Sequence, residues 1–239
     1  MPVPRVVWIT GASSGIGRSL AEIFVQHGDT VVASARRMPQ LEELQKVVSS
    51  GPGICRICPC DVGDEIQVAG VGETILREFD TIDFLVNCAG VTYFKDFAET
   101  TTQEFDEVIR TNLRGMFLTT KKVLPHMLTR GTGVVMNILS YAGKATYTGS
   151  SAYAAAKAGA EAMMDVLRAE TRDKGIKIVN VSPGAVLTPI WHAKHRERYG
   201  HVMLKSAEIA KVLYDISLQP ASMMIEDIII RPQVGDLKV

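Results

Sequence analysis

Val6-Val7-Trp8-Ile9-Thr10-Gly11-Ala12-Ser13-Ser14-Gly15-Ile16-Gly17 decides the fold of this chain. Four apolar residues in a row fit a strand buried on both faces, as in a parallel sheet. After the glycines, Ile16, Leu20, Ile23 and Phe24 recur at spacings of three and four, which predicts a helix. Strand, glycine turn and helix in that order are what a dinucleotide site needs. Gly11 permits the tight turn, Gly15 lets backbone approach a pyrophosphate, and Gly17 lets the helix pack closely on the strand. The helix N-terminus offers free N–H groups and a partial positive charge to phosphates, with Ser13, Ser14 and Ile16 beside them. The spacing is Gly-x-x-x-Gly-x-Gly, and a glycine-rich turn that binds nothing is the plain alternative.

A second pattern lies far downstream. Tyr153 and Lys157 stand four apart in Tyr153-Ala-Ala-Ala-Lys157, and Ser140 lies thirteen residues before the tyrosine. On a helix, Tyr153 and Lys157 share one face, with Cβ atoms about 5–6 Å apart. An ammonium that close favours the phenolate and is expected to lower the tyrosine pKa. A tyrosine so tuned passes a proton near neutral pH. Tyr-x-x-x-Lys alone is also a common solvated helix face.

Taken together, Thr10 to Gly17, Asn87-Cys88-Ala89-Gly90, Asn112, Ser140, Tyr153, Lys157 and Pro183-Gly184 resemble, in order and spacing, the short-chain dehydrogenases/reductases. The resemblance runs from Val6 to about Ile230 and fits the shorter-chained, classical branch. It implies an α/β fold: one doubly wound Rossmann-type domain over residues 1–239, with about seven parallel strands and helices on both faces. It also implies an oxidoreductase that moves a hydride between nicotinamide and a carbonyl or secondary alcohol. Tyr153 is then the proton donor or acceptor, and Ser140 stabilises charge on the substrate oxygen. Lys157 tunes Tyr153 and binds the nicotinamide ribose. Asn112 holds a relay water or serves as a helix-kink residue, and the two roles are compatible.

The same resemblance assigns the cofactor contacts. NAD-preferring relatives carry an acid near position 35; here Ala35 is followed by Arg36 and Arg37. A guanidinium holds a 2′-phosphate bidentately, so NADP(H) is expected over NAD(H), with Arg36 the main contact and Ser34 a helper. The arginines also read as solvated loop charges. Asp61 and Val62 follow the third strand, where Asp61 suits the adenine amino group or an N-cap. Asn87, Ala89 and Gly90 border the adenine ribose, and Cys88 replaces a usual second asparagine. Pro183, Gly184, Val186 and Thr188 cover the nicotinamide.

Composition excludes several classes. The 239 residues carry 26 basic and 26 acidic side chains, so nothing draws the chain to nucleic acid or anionic membrane. No run approaches the roughly 18–20 apolar residues of a membrane span. Met1-Pro2-Val3-Pro4-Arg5 leads straight into the first strand, which suggests no signal peptide and a cytoplasmic location. Cys55, Cys58 and Cys60 cluster in the expected third strand; they read as buried thiols rather than a metal site, for want of four ligands. Helical patterns cover about 40–49, 65–79, 102–128, 151–174 and 206–218, with a last strand at 227–230. The 111–128 and 151–174 helices are those by which relatives pair, so a homodimer or homotetramer is expected. Residues 188–205 correspond to a mobile substrate lid; the stretch from Trp191 to Arg198 is basic, suiting an anionic substrate or a solvated face. The ending Met223 to Pro232 resembles reductases of short hydroxy acids. Two alternatives stand beside the oxidoreductase: a catalytically silent NADP-binding regulator, and an epimerase or dehydratase of sugar nucleotides, which needs a longer chain.

Overall fold

The computed structural model describes residues 4–237; Met1–Val3, part of the expected N-terminal entry, and Lys238–Val239 lie outside the described residues. The chain alternates strand and helix. In order these are β1 (Val6–Thr10), α1 (Gly15–Gln26), β2 (Thr30–Ser34), α2 (Met38–Val48), β3 (Ile54–Ile57), α3 (Glu65–Phe79) and β4 (Phe84–Asn87). Next come α4 (Thr102–Ile109), a π-helical turn (Arg110–Arg114), α5 (Gly115–Arg130), β5 (Gly133–Ile138), α6 (Ser151–Thr171) and β6 (Ile176–Pro183). The chain then runs through β7 (Val186–Leu187), α7 (Ala193–Tyr199), β8 (Leu204–Lys205), α8 (Ser206–Ser217) and β9 (Asp227–Ile230). Seven strands form one parallel sheet in the order β3-β2-β1-β4-β5-β6-β9, while β7 and β8 pair apart from it.

Alternation along β1 explains the two layers. Val7 and Ile9 face one side and pack with Phe24 of α1, Leu41 of α2 and Leu213 of α8. Val6 and Trp8 face the other and pack with Ile75 of α3, Met127 of α5 and Met164 of α6. β1, β2 and β4 are buried along their whole length, as two covered faces require. The edge strands β3 and β9 alternate exposed with half-buried residues. Strand order reverses between β1 and β4, and a crevice opens at their carboxyl ends, where this topology places ligands.

A buried amide ladder ties the sheet centre together. Asn87 Nδ2 donates to Asn137 Oδ1 at 3.0 Å, and Asn137 Nδ2 donates to Asn180 Oδ1 at 3.1 Å. The three asparagines are register partners on β4, β5 and β6. Asn180 Nδ2 in turn donates to Asp165 of α6 at 3.0 Å, and Arg168 holds the same carboxylate at 2.9 Å. Each buried amide is satisfied, which low-dielectric burial demands.

Three expectations change here. The 102–128 helix is interrupted by the π turn, in which Asn112 donates to Val108 O at 2.9 Å and to Val91 O at 2.8 Å. Only Cys55 lies in β3; Cys58 and Cys60 follow it, bonding through their backbone N–H groups to Ala33 and Ala35. The N-cap of α3 is Asp64, which accepts from Ile66 and Gln67, and not Asp61.

Candidate active site

The crevice is a cleft of about 780 Å³. One wall is the glycine turn. Gly11 (φ 71°) lies so close to the β4 loop that an added Cβ would sit 2.8 Å from Ala89 Cα. Thr10 at the end of β1 fixes this approach: its hydroxyl donates to Val86 O at 3.2 Å and accepts from Cys88 N at 3.0 Å and Ala89 N at 3.2 Å. Gly17 does not line the cleft; its Cβ would meet Gly11 O at 2.5 Å, so it sets the approach of α1 to the turn. Ser13, Ser14, Gly15 and Ile16 all line the cleft. Ser14 is the N-cap of α1, yet its side chain makes no capping bond, and no acid occupies the first helical turn. The end of α1 is therefore open to an anion.

The two arginines after β2 diverge. Arg37 Nη2 donates to Ser13 Oγ at 3.0 Å and Ser14 Oγ at 3.2 Å, and so leans over the glycine turn. Arg36, expected to lead, is instead paired with Glu107 of α4 at 3.5 Å. Ser34, the expected helper, is buried and its hydroxyl accepts from Trp8 Nε1 at 3.0 Å. Asp61 lines the cleft, but its carboxylate is held by Arg110 at 2.6 Å and 3.0 Å, so any adenine contact shares it with that pair. Val62 lines the cleft next to it. Asn87 is expected to serve through its backbone; its side chain is committed to the ladder and to Thr119 and Thr120, and the cleft wall begins one residue later, at Cys88.

Further along the cleft, Ser140 follows β5 and Tyr153 and Lys157 rise from the first turns of α6. Ser140 Oγ accepts from Ala142 N at 3.1 Å and is hydrogen-bonded to Tyr153. Lys157 Nζ donates to Ile138 O at 2.8 Å and lies 5.6 Å from the Tyr153 ring centre. Burial pushes Tyr153 up to about 12, against which Ser140 pulls it down. The expected lowering by Lys157 is therefore not seen. Burial also lowers the lysine to about 8, which weakens the very charge meant to act. Cys88, beside Lys157, is pushed up to about 11 by burial and stays a thiol.

Asn112 sits just behind Gly90, whose Cβ would meet its Oδ1 at 2.7 Å and Lys157 Nζ at 3.9 Å. Among the described residues, Asn112 Oδ1 is buried without a hydrogen-bond partner, and so is Thr111 Oγ1 at the cleft wall. Pro183, Gly184, Val186 and Thr188 close the far side. Thr188 reaches back to the turn, where its methyl would sit 2.9 Å from a Cβ at Gly15. An uncapped helix end, paired arginines and glycines without room for side chains fit a phosphate-bearing dinucleotide. Sequence reasoning missed the loop at Thr92–Asp96, Tyr147, Glu107 and the tail residues Asp236 and Leu237, all of which line the cleft. Their only advance signal was position after a parallel strand or at the chain end.

Trp191 of the expected lid stacks on Phe94 with ring centres 5.1 Å apart, and both line the cleft. His195 lines it as well, while His192 does not. Among the described residues, no group of His, Cys, Asp or Glu suits a metal ion, and no helix is long and apolar enough to cross a membrane.

Comparison with known proteins agrees with this geometry. The family model for the short chain dehydrogenases matches residues 5–199. The chain is 31% identical over 241 residues to sepiapterin reductase of Chlorobaculum tepidum, covering 98% of each. It is 32% identical to glycine betaine reductase ATRR of Emericella nidulans over 97% of its own length, but spans only 19% of that longer protein. The closed form of serine dehydrogenase complexed with NADP+ superposes with a TM-score of 0.90 at 26% identity, covering 98% of this chain and 97% of the other. The chain belongs to the short chain dehydrogenase family of oxidoreductases.

Proposed function

We propose that the cleft binds NADP(H) and that the chain interconverts a carbonyl and a secondary alcohol, with Tyr153 as proton donor or acceptor. The observation that carries the reading is the convergence of Ser140, Tyr153 and Lys157 on the cleft that also holds the glycine turn. A bound nicotinamide supplies or takes the hydride. Tyr153, with its pKa near 12, keeps its proton at neutral pH and so is set to give it to a substrate oxygen. Ser140, oriented by Ala142 N–H, is set to donate to the same oxygen as charge grows there. Lys157, fixed by Ile138 O, offsets the phenolate left behind. The unpaired Asn112 Oδ1 is the natural acceptor for a relay water beside Lys157. Arg37, with Ser13 and Ser14, offers a 2′-phosphate site, and the NADP+ complex of a structural relative supports that choice. The remaining expected contacts keep their assigned roles: Gly11, Gly15, Ile16 and Gly17 in the turn, Asp61, Val62, Ala89 and Gly90 around adenosine, and Pro183, Gly184, Val186 and Thr188 over nicotinamide.

Residues 188–205 act as the lid of a single domain, since Trp191 and His195 reach the cleft from that segment. Exposed Phe105, Phe117 and Val166 on α4, α5 and α6 support pairing through these helices into a homodimer or homotetramer. A cytoplasmic location agrees with the four free cysteines, Cys55, Cys58, Cys60 and Cys88. No observation favours the catalytically silent alternative. The test is turnover of NADPH and NADP+ against a panel of ketones, hydroxy acids and diketones. Tyr153→Phe is expected to cut kcat by about 10²–10⁴ with the fold intact. Wild-type turnover in the folded variant, or kcat/KM no higher for NADPH than for NADH, would overturn the assignment.

A further inference from the structure

We propose that Glu107 sets the discrimination between 2′-phosphorylated and unphosphorylated cofactor, by holding Arg36 in a pair that a 2′-phosphate must break. The inference rests on the NADP(H) reading of the cleft. Arg36, Arg37, Glu107 and Tyr93 all line that cleft, yet the two arginines meet different partners. Among the described residues Arg37 is held by neutral hydroxyls, those of Ser13 and Ser14, and so brings its charge to the turn undiminished. Arg36 faces a carboxylate across the cleft: its Nη1 lies 3.5 Å from Glu107 Oε1.

Glu107 is not free to swing aside, because its other oxygen accepts from Tyr93 OH at 2.5 Å. The neighbouring acids have other commitments. Asp61 is clasped by Arg110, and Glu104 by Lys95 and Thr101. Glu107 is therefore the carboxylate directed at Arg36. The pair is loose and wet: the Arg36 side chain is 52% exposed and that of Glu107 34%. Such contacts are weak and break readily. A phosphate monoester carries about −1.5 to −2 charges near neutrality, so to bind Arg36 it must draw the guanidinium from Glu107 and bear repulsion from a carboxylate that Tyr93 holds in place. An unphosphorylated ribose carries no such charge, and its hydroxyl suffers no repulsion from the carboxylate. The carboxylate thus penalises one cofactor selectively and tempers the preference that the two arginines create.

The test is binding, without turnover. Affinities for NADPH and NADH are read by fluorescence titration, and for 2′,5′-ADP by calorimetry, in wild type, Glu107→Gln, Glu107→Ala, Arg36→Gln and the Arg36→Gln/Glu107→Gln double variant. Both Glu107 variants are expected to bind NADPH and 2′,5′-ADP about 3- to 10-fold more tightly, the span of one partly exposed charge, with NADH within twofold of wild type. Arg36→Gln weakens NADPH, and the double variant gains nothing over it. Equal tightening of NADH, an unchanged NADPH to NADH ratio, or a gain that persists without Arg36 overturns the inference while leaving the cofactor reading intact. A folded wild type that binds neither dinucleotide overturns both.

Discussion

Lys157 is almost fully buried, yet among the described residues its ammonium has a short bond to Ile138 O at 2.8 Å and no carboxylate partner. A lone buried charge is costly, and burial lowers its pKa from the ordinary lysine value to about 8. The unfolded chain keeps the ordinary value near 10.5, so between about pH 8 and 10.5 the unfolded state binds the extra proton. The contribution of Lys157 to stability therefore rises with pH across that window, against the opposite trend of the buried thiols raised to about 11 and 12. Tyr153 works the other way: its folded pKa near 12 exceeds the ordinary 10, so its contribution falls only above pH 10. Raising the pH from 7.5 to 9.5 is expected to add about 2 kcal/mol to the unfolding free energy of the cofactor-free chain through Lys157. Lys157→Met, which has no proton to lose, should lack that gain. Urea unfolding of both proteins at the two pH values checks it, and parallel pH profiles would refute it. The chemistry gains from this instability, because a bound cofactor hydroxyl or a phenolate supplies the partner that the unliganded lysine lacks.

At the scale of elements, the β1–turn–α1 unit is held by contact distances that leave no room. An added Cβ at Gly17 would lie 2.5 Å from the backbone oxygen of Gly11, and backbone cannot rotate out of the way as a side chain can. Gly17→Ala is expected to cost about 1–3 kcal/mol by overpacking, and to weaken dinucleotide binding because α1 must back away from the turn. Thermal unfolding with and without NADPH measures both effects; an unchanged Tm would mean that α1 shifts freely. This unit was fully legible in the sequence, because strand run, glycine spacing and helix period are all local signals. α3 and β9 were legible to their ends for the same reason. The π turn was not. Its cause is the Asn112 side chain bonding back to Val108 O and across to Val91 O, and that second partner comes from a different loop. The Arg36–Glu107 pair was equally hidden, since it joins residues 71 positions apart through the fold alone.

The whole molecule adds what no local pattern contains: the segment after β9 returns to the cleft. β9 is the last strand of the sheet, and the segment after it turns back past Gly184, whose Cβ would meet Pro232 at 3.0 Å. Arg231 lies 4.1 Å from the centre of the Tyr141 ring and pairs with Asp236 at 2.8 Å. Tyr147 donates to the same carboxylate, and its own pKa rises to about 12 under burial and that bond. Tyr147 and Arg231 together hold Asp236 below the usual carboxylate range, so the latch persists in acid where a free aspartate would begin to protonate. Tyr141, Tyr147, Asp236 and Leu237 line the same cleft as Ser140 and Tyr153, and the bonds of the latch join Tyr141, Tyr147, Arg231 and Asp236 without touching the glycine turn, Arg36 or Arg37. A defect in the latch should therefore touch substrate before cofactor. Asp236→Asn keeps the shape but drops the charge that Arg231 faces. It is expected to raise KM for the carbonyl substrate about 3- to 10-fold, as suits one partly exposed ion pair, with the dissociation constant for NADPH unchanged. Steady-state kinetics beside a fluorescence titration separates the two quantities. If NADPH affinity falls in step with KM, the tail supports the cleft as a whole; if KM alone moves, the end of the chain belongs to the substrate pocket.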